Sequence, residues 1–380
     1  MKLLVLVNST IWGGAEIFLW RLLRELTTQG HPVVVVYPPR GGDFDRFREL
    51  PQVAWQNEAL GLPVGRLRGM GSLAMMLAPR RGRMASLLER MKREHHCDTV
   101  LSQDPREQIL TAMAGPELGY RVVWIIHQRL YYPLHRTLID PKLRRAMQQT
   151  DLAFVISEAT RRALILKGFP ENKMRPLRVG IEQPGIEPAR PVTQSTSRPR
   201  SIGVLTRLTY DKGVQDILEA MPSVLLEFPE AKLWIAGDGP CRRKLEALTR
   251  KLGITPSVNF LGWVSSSWEF LSRISVLVHA TFNPGESMPT CLLEASAAGT
   301  PVVATRWNGI PEIVLDRETG LLVAPHDVSA IADAIKSLLR DPAWGASLGK
   351  NGQEFVIERF TMKAVARTFL EGAAGGGACR

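Results

Sequence analysis

Ser201-Ile202-Gly203-Val204-Leu205-Thr206-Arg207-Leu208-Thr209-Tyr210-Asp211-Lys212-Gly213-Val214 is the stretch on which the fold turns. An apolar run of strand length ends at Thr206, and a polar turn follows. Over residues 212–228 the period becomes helical, with Val214, Ile217, Leu218 and Met221 on one face. Asp211 is placed to cap that helix. A continuous apolar run marks a strand covered on both faces, unlike the alternation of a half-solvated one. Strand, turn and amphipathic helix together make half of a parallel βαβ unit.

The unit recurs in both directions. Downstream, strands are expected at 232–236, 258–260, 276–279, 301–304 and 320–323, with helices at 242–252, 290–298 and 328–339. A largely helical tail is expected over 346–371. Upstream, strands are expected at 3–7, 33–37, 99–102, 122–126 and 153–156, with helices at 15–29 and 105–115. Residues 183–200 interrupt the series with Pro, Ser, Thr and Arg and no apolar period, which reads as a linker. A chain of 380 residues exceeds one ordinary core. The expectation is therefore a first domain over 1–182, a linker over 183–200, a second domain over 201–358 and a C-terminal helix and tail over 359–380. The fold class is α/β, with two Rossmann-like, doubly wound parallel-sheet domains facing a cleft. In such sheets ligands sit beyond the carboxyl ends of the strands, so functional residues are sought just after strands.

Composition narrows the classes. No run approaches the roughly 18 apolar residues of a membrane span. The apolar start Leu3-Leu4-Val5-Leu6-Val7 is too short for a secretory core and reads as a buried first strand. The 4 cysteines are scattered without metal-ligand or disulfide-framework spacing, which fits a reducing, cytoplasmic setting. The net charge of +11 is uneven: residues 1–190 carry 28 Lys+Arg against 18 Asp+Glu, and residues 191–380 carry 20 against 19. An anionic partner is therefore expected for the first half only.

Several residues follow expected strands. Arg207 and Lys212 lie beside a helix start, where the helix dipole, free N–H groups and a guanidinium fork suit a diphosphate. Two solvated surface charges are the plain alternative. Glu286 falls in the turn-rich loop after the 276–279 strand, and Pro289 suits the first turn of the helix that follows. Glu294 interrupts the apolar run Cys291-Leu292-Leu293-Glu294-Ala295, where a charge without partners is costly. Carboxylates of this kind can read sugar and ribose hydroxyls. Gly13-Gly14-Ala15-Glu16 opens a helix after the first strand, where glycine lets backbone approach a ligand. A full G-x-G-x-x-G is missing. His127 ends the 122–126 strand, as a cleft residue or an ordinary core histidine. Asp43-Phe44-Asp45 has the spacing of a metal pair, but lies in a Gly- and Arg-rich loop and reads as solvated; no metal is expected.

In order along the chain, these features resemble the retaining glycosyltransferases of the GT-B fold, in the large family numbered four. The resemblance rests on Gly13-Gly14-Ala15-Glu16, Leu205-Thr206-Arg207-Leu208 with Lys212-Gly213, Gly237-Asp238-Gly239-Pro240, Phe260-Leu261-Gly262-Trp263-Val264, and Glu286 with Glu294. Pro301-Val302-Val303-Ala304-Thr305, Gly309-Ile310-Pro311-Glu312 and Thr319-Gly320-Leu321-Leu322-Val323 complete it. It implies a nucleotide-sugar donor, UDP- or GDP-linked, with Arg207 and Lys212 on the diphosphate and Glu286 on the transferred sugar. It further implies Glu294 on the ribose, Gly262, Trp263 and Val264 at the nucleobase, and Ser287, Met288, Pro289 and Thr290 around the donor. Gly13 and Gly14 would approach the phosphate or sugar, and His127 would line the sugar pocket. The C-terminal helix would cross back to the first domain. No cofactor or metal is implied. Two departures stand out. Val179-Gly180 replaces the usual Asn-Gly, and Met288-Pro289 replaces the usual Phe-Gly, which affects the sugar pocket.

Residues 66–93 hold eight Lys/Arg and one acid, Glu89, interleaved with Leu67, Met70, Leu73, Met75, Met76, Leu77, Met84, Leu87, Leu88 and Met91. This stretch either meets an anionic membrane surface or packs on its domain with a solvated basic face. A glycan or lipid-linked acceptor in cell-surface polysaccharide or lipopolysaccharide synthesis follows, on the inner face of the membrane. Nucleic acid is not expected, because no recognition motif accompanies the charge. Rival readings are a GT-B sugar-nucleotide epimerase and a non-catalytic nucleotide-sugar-binding protein.

Overall fold

The chain forms two parallel sheets, each built from its own half of the sequence. The computed structural model describes residues 1–9, 13–37, 42–51, 53–57, 72–127, 139–182 and 200–375. One unit comprises Met1–Gly180 with Met362–Arg380, the other Ile181–Thr361.

In the first unit the strands are β1 (Leu3–Leu6), β2 (Val33–Tyr37), β3 (Val53–Asn57), β4 (Thr99–Ser102), β5 (Arg121–Ile126), β6 (Leu152–Val155) and β7 (Met174–Pro176). The helices are α1 (Gly14–Thr28), α2 (Ser72–His95), α3 (Pro105–Ala114), α4 (Ile139–Gln148) and α5 (Glu158–Leu166). All neighbouring strands pair in parallel, in the order β3-β2-β1-β4-β5-β6-β7. β3 and β7 were not expected from sequence. Both lie at sheet edges, where polar residues and a terminal proline such as Pro176 are tolerated.

The second unit contains β8 (Ser201–Leu205), α6 (Val214–Glu227), β9 (Lys232–Ala236), α7 (Arg242–Lys251), β10 (Val258–Gly262), α8 (Ser267–Leu271), β11 (Val276–His279), α9 (Thr290–Ala297), β12 (Val302–Thr305), β13 (Leu321–Val323), α10 (Val328–Arg340) and α11 (Pro342–Arg359). Its parallel order is β10-β9-β8-β11-β12-β13. Each sheet starts near its middle, builds outward to one side and then crosses to the other. The switch points lie between β1 and β4 and between β8 and β11.

Burial explains the sequence pattern. β1, β2, β4, β6, β11 and β12 are buried along their whole length. On α6 the predicted face Val214, Ile217, Leu218 and Met221 is fully buried, packed against α10. Each such side chain contributes about 1.5–3 kcal/mol when removed from water. The helix begins at Val214, not Lys212, because Gly213 adopts φ 69° and stands at its N-cap. Asp211 does not cap it; its carboxylate accepts from the Thr209 hydroxyl instead. The largely helical tail expected over 346–371 forms two helices. α11 starts at Pro342 with Asp341 accepting from the Trp344 N–H, and the chain breaks at Phe360-Thr361 before α12 (Met362–Ala373). α12 packs on α1, with Phe369 against Phe154 at 5.3 Å between ring centroids.

Two further expectations change. Asp43-Phe44-Asp45 lies in a 3-10 helix over Gly42–Glu49, and Asp45 pairs with Arg48 at 3.3 Å. On α2, Met84, Leu87, Leu88 and Met91 belong to the core of their own unit, beside Tyr120 and Trp124. Between residues 80 and 95 the exposed positions are Gly82, Ser86 and charged residues of both signs, among them Arg83, Glu89, Lys92 and Arg93. Residues 66–71, the side chains of 72–79, and the linker over 183–199 lie outside the described residues.

Candidate functional site

At the β8/β11 switch point the chain assembles a charged cluster from two loops. Leu208 is fully buried and held by two backbone bonds, accepting from the Cys241 N–H and donating to the Asp238 carbonyl, each 2.9 Å. Gly239 permits that approach: a Cβ there would lie 2.5 Å from the Leu208 carbonyl oxygen. With Leu208 pinned inward, Arg207 projects outward, exposed and without a side-chain partner among the described residues. Three residues on, a 3-10 turn over Tyr210–Lys212 ends at Gly213, whose left-handed conformation presses it against the end of β11.

Lys212 extends from that turn to Glu286, its Nζ donating to Oε2. The two side chains are 14% and 13% exposed, so the pair is mostly withdrawn from water. The Glu286 loop is tied from several sides. Thr281 lies with its hydroxyl 3.1 Å from the Asp211 carbonyl and 3.3 Å from Glu286 Oε2. Trp307 Nε1 donates to the Asn283 carbonyl at 2.8 Å, and the Asn308 amide donates to the Glu286 carbonyl at 2.9 Å. Asn308 holds φ 47°, a conformation asparagine tolerates better than most residues.

Beneath the carboxylate sits His279, the last residue of β11 and only 2% exposed. Its Nε2 is 3.8 Å from Glu286 Oε2, an ion-pair distance beyond hydrogen-bond range, and its Nδ1 is 3.6 Å from the Cys291 sulfur. Burial pulls the imidazole down, but Cys291 and the Glu286 carboxylate outweigh it and lift the group to about 9. Burial likewise raises the Glu286 carboxyl, yet His279 and Lys212 prevail and hold it down at about 2. At neutral pH the cluster is one carboxylate between two cations.

The other expected donor residues surround this cluster in sequence and differ in setting. Ser287 and Met288 are buried, Pro289 stands just outside α9 at its N-cap, and Thr290 begins the helix. Glu294 is half-buried on the second turn and has interactions of its own. Gly262 ends β10 at φ 72°, its carbonyl accepting from the Gly237 N–H at 2.7 Å. Trp263 follows with 85% of its surface exposed, and Val264 comes next.

The first unit places its predicted residues at its own carboxyl edge. Gly13 precedes α1 and donates its N–H to Glu16 Oε2 at 3.0 Å, while Gly14 is open, with nothing near a would-be Cβ. His127 follows β5, pairs with Gln103 Oε1 at 3.0 Å and meets Phe18 edge-on. Burial drives its pKa down to about 4, so it is neutral at ordinary pH. Among the described residues no group of three or more His, Cys, Asp or Glu is placed to hold a metal ion.

Sequence reasoning missed His279, Thr281, Trp307, Asn308 and Gln103. The rule that singled out His127, a polar residue ending a strand, applies equally to His279. Trp307 and Asn308 carried only the turn signal of Asn308-Gly309.

Two parallel-sheet Rossmann-like units, each with polar residues at its carboxyl edge, define the GT-B class of glycosyltransferases. The crystal structure of Anabaena HepE in complex with UDP superposes with a TM-score of 0.79, covering 98% of this chain and 100% of that one at 20% identity. The galactosyltransferase WaaB of the lipopolysaccharide outer core gives 0.72, at 17% identity over 98% and 99% of the two chains. At such identity these show the fold alone. The sequence goes further. Residues 12–182 match the family model Glycosyltransferase Family 4, and residues 186–355 match Glycosyl transferases group 1. The GDP-mannose-dependent alpha-(1-6)-phosphatidylinositol monomannoside mannosyltransferase of Mycobacterium tuberculosis is 26% identical over 95% of both chains. The lipopolysaccharide core biosynthesis glycosyltransferase LpsE of Rhizobium meliloti is 32% identical over 43% of this chain and 47% of its own. The protein belongs to the group 1 glycosyltransferases of family 4, and it is a transferase that uses nucleotide sugars.

Proposed function

We propose that this enzyme transfers a sugar from a UDP- or GDP-sugar to a glycan or lipid-linked acceptor, with retention and without a metal ion, in cell-surface polysaccharide or lipopolysaccharide synthesis. The observation that carries the reading is that Arg207, exposed and without a side-chain partner among the described residues, follows the same strand as Lys212, which is paired with Glu286 at the switch point. Breaking a sugar–phosphate bond builds negative charge on the leaving phosphate and positive charge at the anomeric carbon. Fixed cations aimed at the phosphate stabilise that transition state more than the ground state. Arg207 and Lys212 take the diphosphate, Glu286 accepts from hydroxyls of the transferred sugar, and Glu294 accepts from the ribose. Ser287, Met288, Pro289 and Thr290 shape the donor pocket, and Gly262, Trp263 and Val264 border the base.

Both donor bases are kept because the relatives divide: the mycobacterial mannosyltransferase is named for GDP-mannose, and HepE was crystallised with UDP. The acceptor class follows the phosphatidylinositol mannoside and lipopolysaccharide named for the relatives. The first unit takes the acceptor, with the neutral imidazole of His127 able to donate or accept toward a sugar hydroxyl. The exposed charge of α2 holds the enzyme at an anionic, cytoplasmic membrane face.

Thermal-shift titration with UDP-, GDP- and ADP-sugars tests donor choice. A ligand binding only the native state at 100 times its Kd adds about 2.7 kcal/mol. Lys212→Ala should remove transfer while the fold persists; unchanged transfer by that variant refutes the assignment. Donor turnover to an epimer without acceptor would instead identify an epimerase.

A further inference from the structure

We infer that His279 is a positioning residue: it supplies the countercharge of Glu286, so that Lys212 can leave that carboxylate for the phosphates of a nucleoside diphosphate. The inference rests on the donor-site reading above.

In this structure Lys212 is engaged with Glu286. To serve a phosphate it must loosen that contact. Glu286 is only 13% exposed, so water cannot take over the lysine's role. A carboxylate stranded there beside incoming phosphate would be both desolvated and repelled. A second cation must already be present. His279 satisfies this by geometry. Its Nε2 faces the same oxygen that Lys212 contacts, at 3.8 Å, and is buried without a hydrogen-bond partner among the described residues. A buried donor left unpaired is costly, and most such groups in native proteins are paired. A small approach by Glu286, as Lys212 withdraws, converts the 3.8 Å separation into a charged hydrogen bond. The orphaned nitrogen is thus satisfied once Lys212 turns to a phosphate.

The ring cannot follow Lys212 outward. It ends β11, whose register with β12 pairs His279 with Ala304, and Cys291 on the first turn of α9 lies 3.6 Å from Nδ1. The titratable groups shown facing the imidazole are Glu286 from its loop and Cys291 from α9, with Lys212 beyond the carboxylate. His279 touches neither phosphate nor sugar in this scheme and acts only through Glu286. Its removal should therefore act on nucleotide affinity through the availability of Lys212.

The test is calorimetric binding of UDP and GDP to the full chain between pH 7 and 10. Wild type, His279→Gln, Lys212→Ala, Glu286→Gln and the His279→Gln/Glu286→Gln double variant are compared. His279→Gln should bind about tenfold more weakly at pH 7.5, because Glu286 then retains Lys212. Wild-type affinity should fall as pH passes about 9, where the imidazolium loses its proton, and His279→Gln should show a smaller fall, the remainder being the loss of the ring proton of uracil or guanine itself. In the Glu286→Gln background the histidine substitution should cost little, since no carboxylate is left to balance. Should His279→Gln fold poorly, His279→Asn takes its place in every comparison. Wild-type affinity with an unchanged pH profile in His279→Gln overturns the inference. So does full additivity in the double variant. If Lys212→Ala loses binding while His279→Gln does not, only this inference fails. If Lys212→Ala binds like wild type, or neither nucleotide binds any form, the donor-site reading fails and this inference with it.

Discussion

Gly213→Ala is the perturbation that most directly probes how the second unit builds its charged cluster. Gly213 holds φ 69°, and a Cβ there would lie 1.9 Å from the Ala280 carbonyl oxygen, which is backbone and has no rotamer to change. Forcing an L-residue into the left-handed region costs about 1–2 kcal/mol. Overpacking against backbone adds about 1–3 kcal/mol. A loss of about 2–5 kcal/mol follows, from a total stability of only about 5–15 kcal/mol for a typical domain. The strain has a direction. Relief requires separating Gly213 from Ala280, and the residues on either side are Lys212 and Thr281. Thr281 and Phe282 both bond to the Asp211 carbonyl, at 3.1 and 2.9 Å. Opening that seam moves Lys212 away from Glu286. Urea denaturation should show the stability loss, and calorimetry with UDP and GDP should show weakened binding at temperatures where the variant is folded. A loss below about 1 kcal/mol together with wild-type nucleotide affinity would refute the claim that this close approach sets the cluster.

Two more outcomes follow from the geometry. Asn308→Ala removes the amide that ties the Asn283, Pro284 and Glu286 carbonyls and places a residue less tolerant of φ 47° in its position; stability should fall by about 1–3 kcal/mol, and donor turnover should fall more than in Asn308→Gly, as steady-state kinetics will show. Glu107 is fully buried on the first turn of α3 with neither carboxyl oxygen hydrogen-bonded among the described residues, and burial followed by the Asp104 charge raises it well above 4.5. Its folded pKa exceeds its unfolded one, so the wild type loses stability as pH rises from about 4.5 toward the folded value; Glu107→Gln should melt higher than wild type at pH 7.5, with the gain shrinking toward pH 4, and an unchanged difference across that range would contradict the assignment.

The sequence by itself determined the architecture, because the signals are local. Strands such as β2 and β11 are apolar along their whole length, and α6 shows its helical period over a single face; both patterns follow from burial on a parallel sheet. The same locality placed Arg207, Lys212, Glu286 and Glu294 after strands or on the helix that follows. It missed β3 and β7, whose short, mixed sequences are fixed by pairing at a sheet edge. It put the start of α6 two residues early, because a left-handed Gly213 is dictated by Ala280 across the sheet, 67 positions away in the chain. Tertiary structure alone decided who partners whom. Lys212 could have been a free phosphate-binding cation; in the folded chain it is bound to Glu286, 74 residues distant. His279 reads as a strand residue and ends up buried beneath that carboxylate, with its pKa raised. The apolar residues of α2 between 84 and 91 fit a membrane face as well as a core, and only packing assigns them to the core. Periodicity is a property of neighbours along the chain, whereas charge pairing depends on distances the fold creates.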